Sequence, residues 1–426
     1  MTDPDGRGQR AAGARRVRPD PSWQRFDGTL LAGSPLVAFR TTEAGGRILD
    51  AIERGECVGA SPLVDRLLDA GAVHPVPAST ATTFSVADVT VVTPQLGGVV
   101  ADDDRIVVDD GSVPPLDGAT IRLERNRGPA AARNAARPLV DTPLIAFVDA
   151  DVDVSAGSGT GPVWLDRLLA HFDDPAVGAV APRVLGERRS PLDLGDVPAR
   201  IRAGTRVSYV PAAALVVRAA AFDDVGGFDE TLRFGEDVDL VWRLDEAGWR
   251  CRYEPAATVR HAPRPTVGAR LRQHAGYGTS AAPLALRHPR NLSPVHANGW
   301  TAAVWAAVVA GHPVAAVVLA AGTALRLPRR LPGVPAERAV RLALEGHARA
   351  GRQFADAVRR VWWPPVVVAA FVSRRARRVL VAAALVAPRT VATDVAYGWG
   401  VWTGVVRHRT FTPLLPRWRR WPGPTR

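Results

Sequence analysis

The stretch Leu144–Val154, LIAFVDADVDV, constrains the fold more than any other. Ile145, Ala146, Phe147 and Val148 run into Asp149-Ala150-Asp151 with no charge between them. That is the pattern of a buried strand delivering two carboxylates at its C-terminal edge. Carboxylates there need partners. They either form a hard oxygen site for Mg²⁺ or Mn²⁺ that also holds substrate phosphates, or they cap the helix that follows. The segment alone leaves both readings open.

The chain of 426 residues is 47% apolar, enough for two or three domains with real cores. Its net charge of +12 rests on arginine, because the sequence has no lysine. From Arg326 onward the arginines interleave with Ala/Val runs rather than with exposed aromatics. This favours a membrane surface over nucleic acid as the partner. The 2 cysteines, Cys57 and Cys251, lie far apart and imply neither a disulfide framework nor a metal cluster, so a reducing cytoplasm is expected. Met1–Asp20 has no apolar core of the kind a signal peptide needs, and none is expected there.

Residues 1–25 are polar and rich in Arg, Gly and Pro, which predicts a disordered arm. Residues 26–78 predict a small winged-helix-like module. A hairpin is expected over Gly28–Arg40, a helix over Thr42–Arg54, and a second helix from Ser61 with Pro62 in its first turn and Gly71 ending it. A short strand, Ala72–Pro75, then leads into a linker, Pro75–Ala81. Such a module binds DNA or peptide, or it only packs.

From Val86 to about residue 290, strands alternate with helices, the signature of a doubly wound, mostly parallel α/β sheet. Val89–Pro94 and Arg105–Val108 are strands. Asp109 follows at the sheet edge where such folds bind ligands, and a carboxylate there can accept from a base N–H or a ribose hydroxyl. Gly128–Asn134 opens a helix whose N–H groups and Arg133 suit a diphosphate, although an ordinary Ala-rich helix reads the same. Trp164–Phe172 is an amphipathic helix and Val177–Val184 a strand. Ser190–Gly195 starts a polar loop that suits a lid or acceptor surface. Arg206–Arg218 reads as an apolar strand. It leads to a tight loop at Gly226–Glu230 and to a helix opening at Gly235-Glu236-Asp237 and ending at Gly248, where capping is the plain alternative for the acids.

These pieces, in this order, resemble a family 2 glycosyltransferase of the GT-A type. The carriers are Thr90–Pro94, Val108–Ser112, Gly128–Asn134, Asp149–Asp151, Gly226–Glu230 and Glu236-Asp237. Longer stretches, Ser190–Gly195, Arg206–Arg218, Phe234–Leu244 and Tyr277–Pro289, resemble the branch of that family that works in mycofactocin systems, adding β-linked glucose to a peptide-derived redox cofactor. The resemblance implies a nucleoside-diphosphate sugar donor, UDP-glucose, with Pro94 and Asp109 near the nucleotide and Arg133 near the diphosphate. Asp151 would bind Mg²⁺ or Mn²⁺, Asp149 would face the ribose or the metal, and His261 is a further metal or diphosphate candidate whose alternative is a structural role. Asp237 is implied as general base with Glu236 supporting it, and Gly227, Phe228 and Asp229 as the acceptor loop. The N-terminal module loosely resembles peptide-binding elements of peptide-modifying systems. Other acceptors, a cell-wall glycan or a lipid-linked sugar, use the same core motifs.

Only Gln95–Asp104 separates the first two strands, at or below the length of a crossover helix. Either a turn replaces the helix or the first strand pairs differently. The short connection implies a reduced nucleotide pocket, and a non-catalytic homologue that binds nucleotide sugar, peptide or partner is the alternative it raises.

Residues 291–426 predict an Arg-rich hydrophobic helical region. Trp300–Leu325 carries no formally charged side chain and is long enough to span about 30 Å of hydrocarbon, but His312-Pro313 interrupts it, so a hairpin is the alternative. Val361–Val372 and Val379–Ala387, with Arg374–Arg378 between them, suit an interfacial helix pair. Trp362, Trp363, Trp399, Trp402, Trp418 and Trp421 suit a membrane interface or ordinary packing. A catalytic domain on the cytoplasmic face of the cell membrane is the expectation.

Overall fold

A computed structural model describes residues 15–76, 82–100, 105–155, 163–186, 192–262, 266–289 and 291–418. Residues 1–14 of the expected arm, most of the linker, Ser190, Pro191 and Trp421 lie outside the described residues. Contacts divide the chain into two units: Met1–Gln24, Leu31–Val37 and Thr41–Pro263 in the first, and Arg25–Leu30, Ala38–Arg40 and Arg264–Arg426 in the second.

The chain begins with β1 (Arg15–Pro19), then a three-stranded sheet of β2 (Gln24–Phe26), β3 (Thr29–Ala32) and β4 (Val37–Arg40). Helix α1 (Glu43–Glu53) is capped by Thr42, whose side chain accepts from the Gly45 N–H. Next come β5 (Cys57–Val58), α2 (Pro62–Asp69) capped by Ser61, and β6 (Val73–Pro75). Strand β1 pairs antiparallel with both β5 and β6, as the centre of a small sheet. The expected disordered arm is therefore corrected over Arg15–Pro19. Its one apolar side chain, Val17, is buried, and the flanking arginines mask a period-two pattern too short to read.

Two ion clusters hold Asp20, α2 and β6, which belong to the first unit, against the sheet domain. The buried Asp20 carboxylate accepts from His74 Nε2 at 2.8 Å, from Ser22 Oγ at 2.5 Å and from Arg206. Burial alone would raise its pKa, but those hydrogen bonds hold it well below the usual carboxylate range. Arg250 reaches Asp65 and Asp69 of α2 at 3.2 Å each, and Asp174 at 3.1 Å. Arg250→Met should cost about 3–5 kcal/mol, because Asp65 and Asp174 lose a counter-charge inside the protein. Denaturant unfolding checks this, and a loss below about 1 kcal/mol, the range of exposed pairs, would show the cluster to be solvated.

The large sheet contains β7 (Val89–Gln95), β8 (Ile106–Asp109), β9 (Ile121–Arg122), β10 (Leu144–Val148), β11 (Val152–Asp153), β12 (Val177–Leu185), β13 (Ala199–Ile201), β14 (Ala214–Arg218) and β15 (Arg250–His261). Its order is β11-β15-β12-β14-β10-β7-β8-β9, with β13 also on β15. Helices α3 (Pro129–Ala135), α4 (Val163–Leu169), α5 (Ala219–Asp224) and α6 (Glu236–Glu246) complete the α/β fold. The sheet is mixed rather than mostly parallel. Four pairings are parallel (β10 with β7, β7 with β8, β8 with β9, β12 with β15), and four are antiparallel (β14 with β10 and β12, β15 with β11 and β13). Strand β14 accounts for two of the antiparallel pairings: it runs opposite to both β10 and β12, between which it lies, and no helix lies in the described residues between β12 and β14.

The expected strand Arg206–Arg218 shortens to Ala214–Arg218, because Pro211 has no N–H to give a ladder. The short connection after β7 does not alter its pairing. Gln95 lies opposite Asp109 in a parallel register, and no helix lies in the described part of that connection. All five residues of β10 are buried, and Leu144, Ala146 and Val148 sit in a core with Leu168, Phe172 and Val216.

The second unit is helical: α7 (Val267–Thr279), α8 (Ala281–Arg287), α9 (Gly299–Ala310), α10 (Pro313–Arg326), α11 (Ala336–Ala357), α12 (Trp363–Val372), α13 (Arg374–Val386) and α14 (Val391–His408). The stretch Trp300–Leu325 is broken into α9 and α10 by Gly311, which has φ +84°, and Pro313. No single helix among the described residues is long and apolar enough to cross a membrane. Helices α7 and α14 touch backbone to backbone. A Cβ on Gly278 would lie 2.0 Å from the Tyr397 carbonyl oxygen, and one on Gly400 would lie 1.9 Å from that of Ala275.

Candidate active site

The sheet edge is built by a turn. The Asp149 N–H donates to the Ala213 carbonyl at 2.9 Å, and the Val152 N–H folds back to the Asp149 carbonyl at 3.0 Å. Asp149 is thereby part-exposed, and Asp151 exposed, beyond the buried β10. Strand β11 pairs Val152 with His261 at the far end of β15. His261 Nε2 consequently sits 3.4 Å from Asp151 Oδ2. The two residues named as metal candidates from the sequence are thus adjacent in the structure; what brings them together is a strand that continues past Pro255 through a register shift against β12.

Arg133, on α3, is 3% exposed and reaches two carboxylates, Asp149 Oδ1 at 2.6 Å and Glu236 Oε1 at 3.1 Å. It also lies 5.2 Å from the centre of the Phe228 ring. Burial works against its charge, but Asp149 and Glu236 outweigh burial and hold its pKa above the ordinary value. Expected near the diphosphate, Arg133 lies in this structure as a buried clamp between the strand edge and α6, held by the two acids.

Helix α6 starts from Gly235, with φ +79°, and its first turn carries Glu236, Asp237 and Asp239. The three acids differ in their surroundings. Glu236 pairs with Arg133, and Asp239 pairs with Arg243 at 2.6 Å. Asp237 has no cationic partner within hydrogen-bond reach among the described residues and accepts from the N–H groups of Val238, at 2.8 Å, and Ala212. Burial first, then the adjacent Glu236 charge, pushes its pKa up to about 7 against the pull of Arg133. A carboxylate so placed can accept a proton near neutral pH.

Asp109 is fully buried. It accepts from the N–H groups of Ser112 at 2.8 Å and Leu116 at 3.1 Å, and from Arg122 at 2.8 Å. Burial would raise its pKa, and these partners lower it below the usual value. Its carboxylate therefore shapes the loop after β8, where a free nucleotide contact was expected. Pro94 is part-buried in β7, in register with Val108.

In the expected acceptor loop, Phe228 is buried against Phe147 and Phe222, and its N–H and carbonyl are both held by the Asn134 side chain, at 2.9 and 2.8 Å. Gly227, at φ +71°, admits no side chain, since a Cβ would lie 2.9 Å from Asn134 Oδ1. Asp229 caps Thr231 at 2.8 Å. The loop is thus a buttress for α3 and α6, with only its polar end exposed.

Three residues escaped sequence reading. Asp110 holds the N–H groups of Arg127 and Gly128 at 2.7 and 2.9 Å, fixing the entry to α3. Asn134 latches the Phe228 loop, and Arg243 donates to the carbonyls of Val225 and Gly227. Only Arg243 left a local signal, its spacing of four from Asp239 on a helix.

The glycosyl transferase family 2 model matches residues 101–193, and the glycosyl transferase family group 2 model matches residues 180–332. The pre-mycofactocin glycosyltransferase of Mycobacterium tuberculosis is 37% identical over 456 residues, covering 92% of this chain and 94% of that protein. The succinoglycan biosynthesis protein ExoU of Rhizobium meliloti is 34% identical over 192 residues, covering 39% of this chain and 55% of that protein. Among solved structures, a mannosyltransferase from Pyrobaculum calidifontis in complex with GDP-Man and Mn²⁺ aligns with a TM-score of 0.44 at 16% identity, over 78% of this chain and 89% of that one. The two family matches contain the carboxylates assembled above, Asp149 and Asp151 in one and Asp237 in the other, and a relative matches nearly end to end; the chain belongs to glycosyltransferase family 2 and is a glycosyltransferase.

Proposed function

We propose that the enzyme moves glucose from UDP-glucose to pre-mycofactocin, with inversion, building a β-linked oligoglucosyl chain. The acceptor is suggested by the relative matched over 92% of the chain. The observation that carries the mechanism is Asp237, with a carboxyl raised to about 7 and tied through Glu236 and Arg133 to Asp149 at the sheet edge.

Asp237 takes the proton from the acceptor hydroxyl as its oxygen attacks the anomeric carbon. The bond to the diphosphate breaks on the opposite face, and its electron pair leaves with the nucleotide. Glu236 and Arg133 fix the helix turn that aims Asp237. Asp151 and His261 fit a divalent cation. They are a carboxylate and an imidazole side by side, Asp151 is 40% exposed, and no group of three or more such side chains forms among the described residues. The remaining positions would fall to water and the donor phosphates, as Mg²⁺ and Mn²⁺ sites commonly arrange. A cation there supplies charge that neutralises the departing diphosphate. Asp149, half-exposed at the same edge, faces the ribose or the cation, and the N-terminal module docks the peptide-derived acceptor.

The test is product formation from UDP-glucose and pre-mycofactocin with Mn²⁺ or Mg²⁺. Asp151→Ala should raise the cation concentration for half-maximal rate by about tenfold or more. An unchanged cation response would remove Asp151 from the metal site, and product from another sugar nucleotide alone would reassign the donor.

A further inference from the structure

In the first unit exposed apolar side chains are scattered singly, as on most proteins. The second unit differs at α12 and α13. Helix α12 reads WPPVVVAAFV and buries no residue, while α13 buries only Ala383. Val368, Phe371 and Val372 are 69, 80 and 91% exposed, and Leu385 on α13 is 71% exposed. Consecutive apolar residues left in water at this density mark an interaction surface.

The charge beside it selects the partner. Arg374, Arg375, Arg377 and Arg378 follow α12 after a single serine, all exposed, and none meets a carboxylate among the described residues. Between Trp363 and Thr410 the sequence holds seven arginines and one acid, Asp394, which Arg359 takes at 3.0 Å. A second copy of this face would bring like charges together. An anionic lipid surface would match both features, with the valines and Phe371 in the acyl boundary and the guanidinium groups at the phosphates. Ten helical residues extend about 15 Å, half of a bilayer's hydrocarbon, so α12 would lie in the interface without crossing it.

We infer that the α12–α13 hairpin seats the enzyme on an anionic bilayer, which would place transfer at a membrane face. The inference stands on this surface and does not depend on the donor or acceptor.

Flotation of the full chain with phosphatidylcholine vesicles, with or without about one third phosphatidylglycerol, tests it. Binding is expected with the anionic vesicles and to fall at least about tenfold in Phe371→Glu, and again in a variant with all four arginines replaced by alanine. Cooperative thermal unfolding of both variants shows that they fold. Equal binding to both vesicle types, or full binding by either folded variant, would overturn the proposal. Concentration-dependent dimerisation without vesicle binding would also overturn it and assign the face to a second copy.

Discussion

Asp237→Asn is expected to lower turnover about 10²- to 10⁴-fold, the contribution of a positioned general base, while leaving donor binding in place. The pH profile of the unaltered enzyme supplies the independent check. A base whose carboxyl is raised to about 7 is protonated below that pH, so kcat/KM should climb about tenfold per unit up to neutrality and then level off. A flat profile from about pH 5 to about pH 8 would remove Asp237 from the role. Stability should move in the opposite sense. A carboxyl with its folded pKa above 3.8 favours the fold at acid pH, and that contribution is lost as pH rises through about 7. Asparagine carries no charge into the same position, so the variant should unfold at a higher temperature than the wild type above neutrality and show little difference at about pH 4.

Gly400→Val should be the most damaging change in the helical unit. The first atom of any side chain would stand 1.9 Å from the Ala275 carbonyl oxygen, a backbone atom with no rotamer to change. Helices α7 and α14 would have to separate, at about 3 kcal/mol or more. Gly322 is the control. It lies on the exposed side of α10 with nothing within 4 Å of its would-be Cβ, so Gly322→Ala should stabilise by about 0.5–1 kcal/mol through helix propensity. Thermal unfolding of the two variants side by side decides the matter, and similar values for both would show that the crossing is not close-packed.

What was legible in the sequence was local. The strand Leu144–Val148 and its two aspartates, the Thr42, Ser61 and Gly235 helix starts and the Gly226-Gly227 turn each rest on a few adjacent residues with a physical signature, and the structure holds each of them. What was not legible depended on partners far along the chain. Asp109 is expected near the nucleotide from its position at the sheet edge and from the resemblance, and no local pattern signals that Arg122 and two loop N–H groups hold its carboxylate. Arg133 looked like a phosphate ligand, yet its acids come from residues 16 and 103 positions away. Beta pairing was the second blind spot. Asp151 and His261 are both candidates for one cation, but the β11–β15 pairing that sets them side by side has no local signal, and the antiparallel return of β14 cannot be read from its own five residues.

The two ion clusters around Asp20 and Arg250 have a consequence for descent. Each has acids on the N-terminal module and basic partners, Arg206 or Arg250, on the sheet domain. A recombination event that exchanged the module alone would strand buried charges on both sides of the cut. The module can change hands only together with its sockets on the sheet domain, so chimeras between relatives should lose stability at a junction in the stretch between β6 and β7.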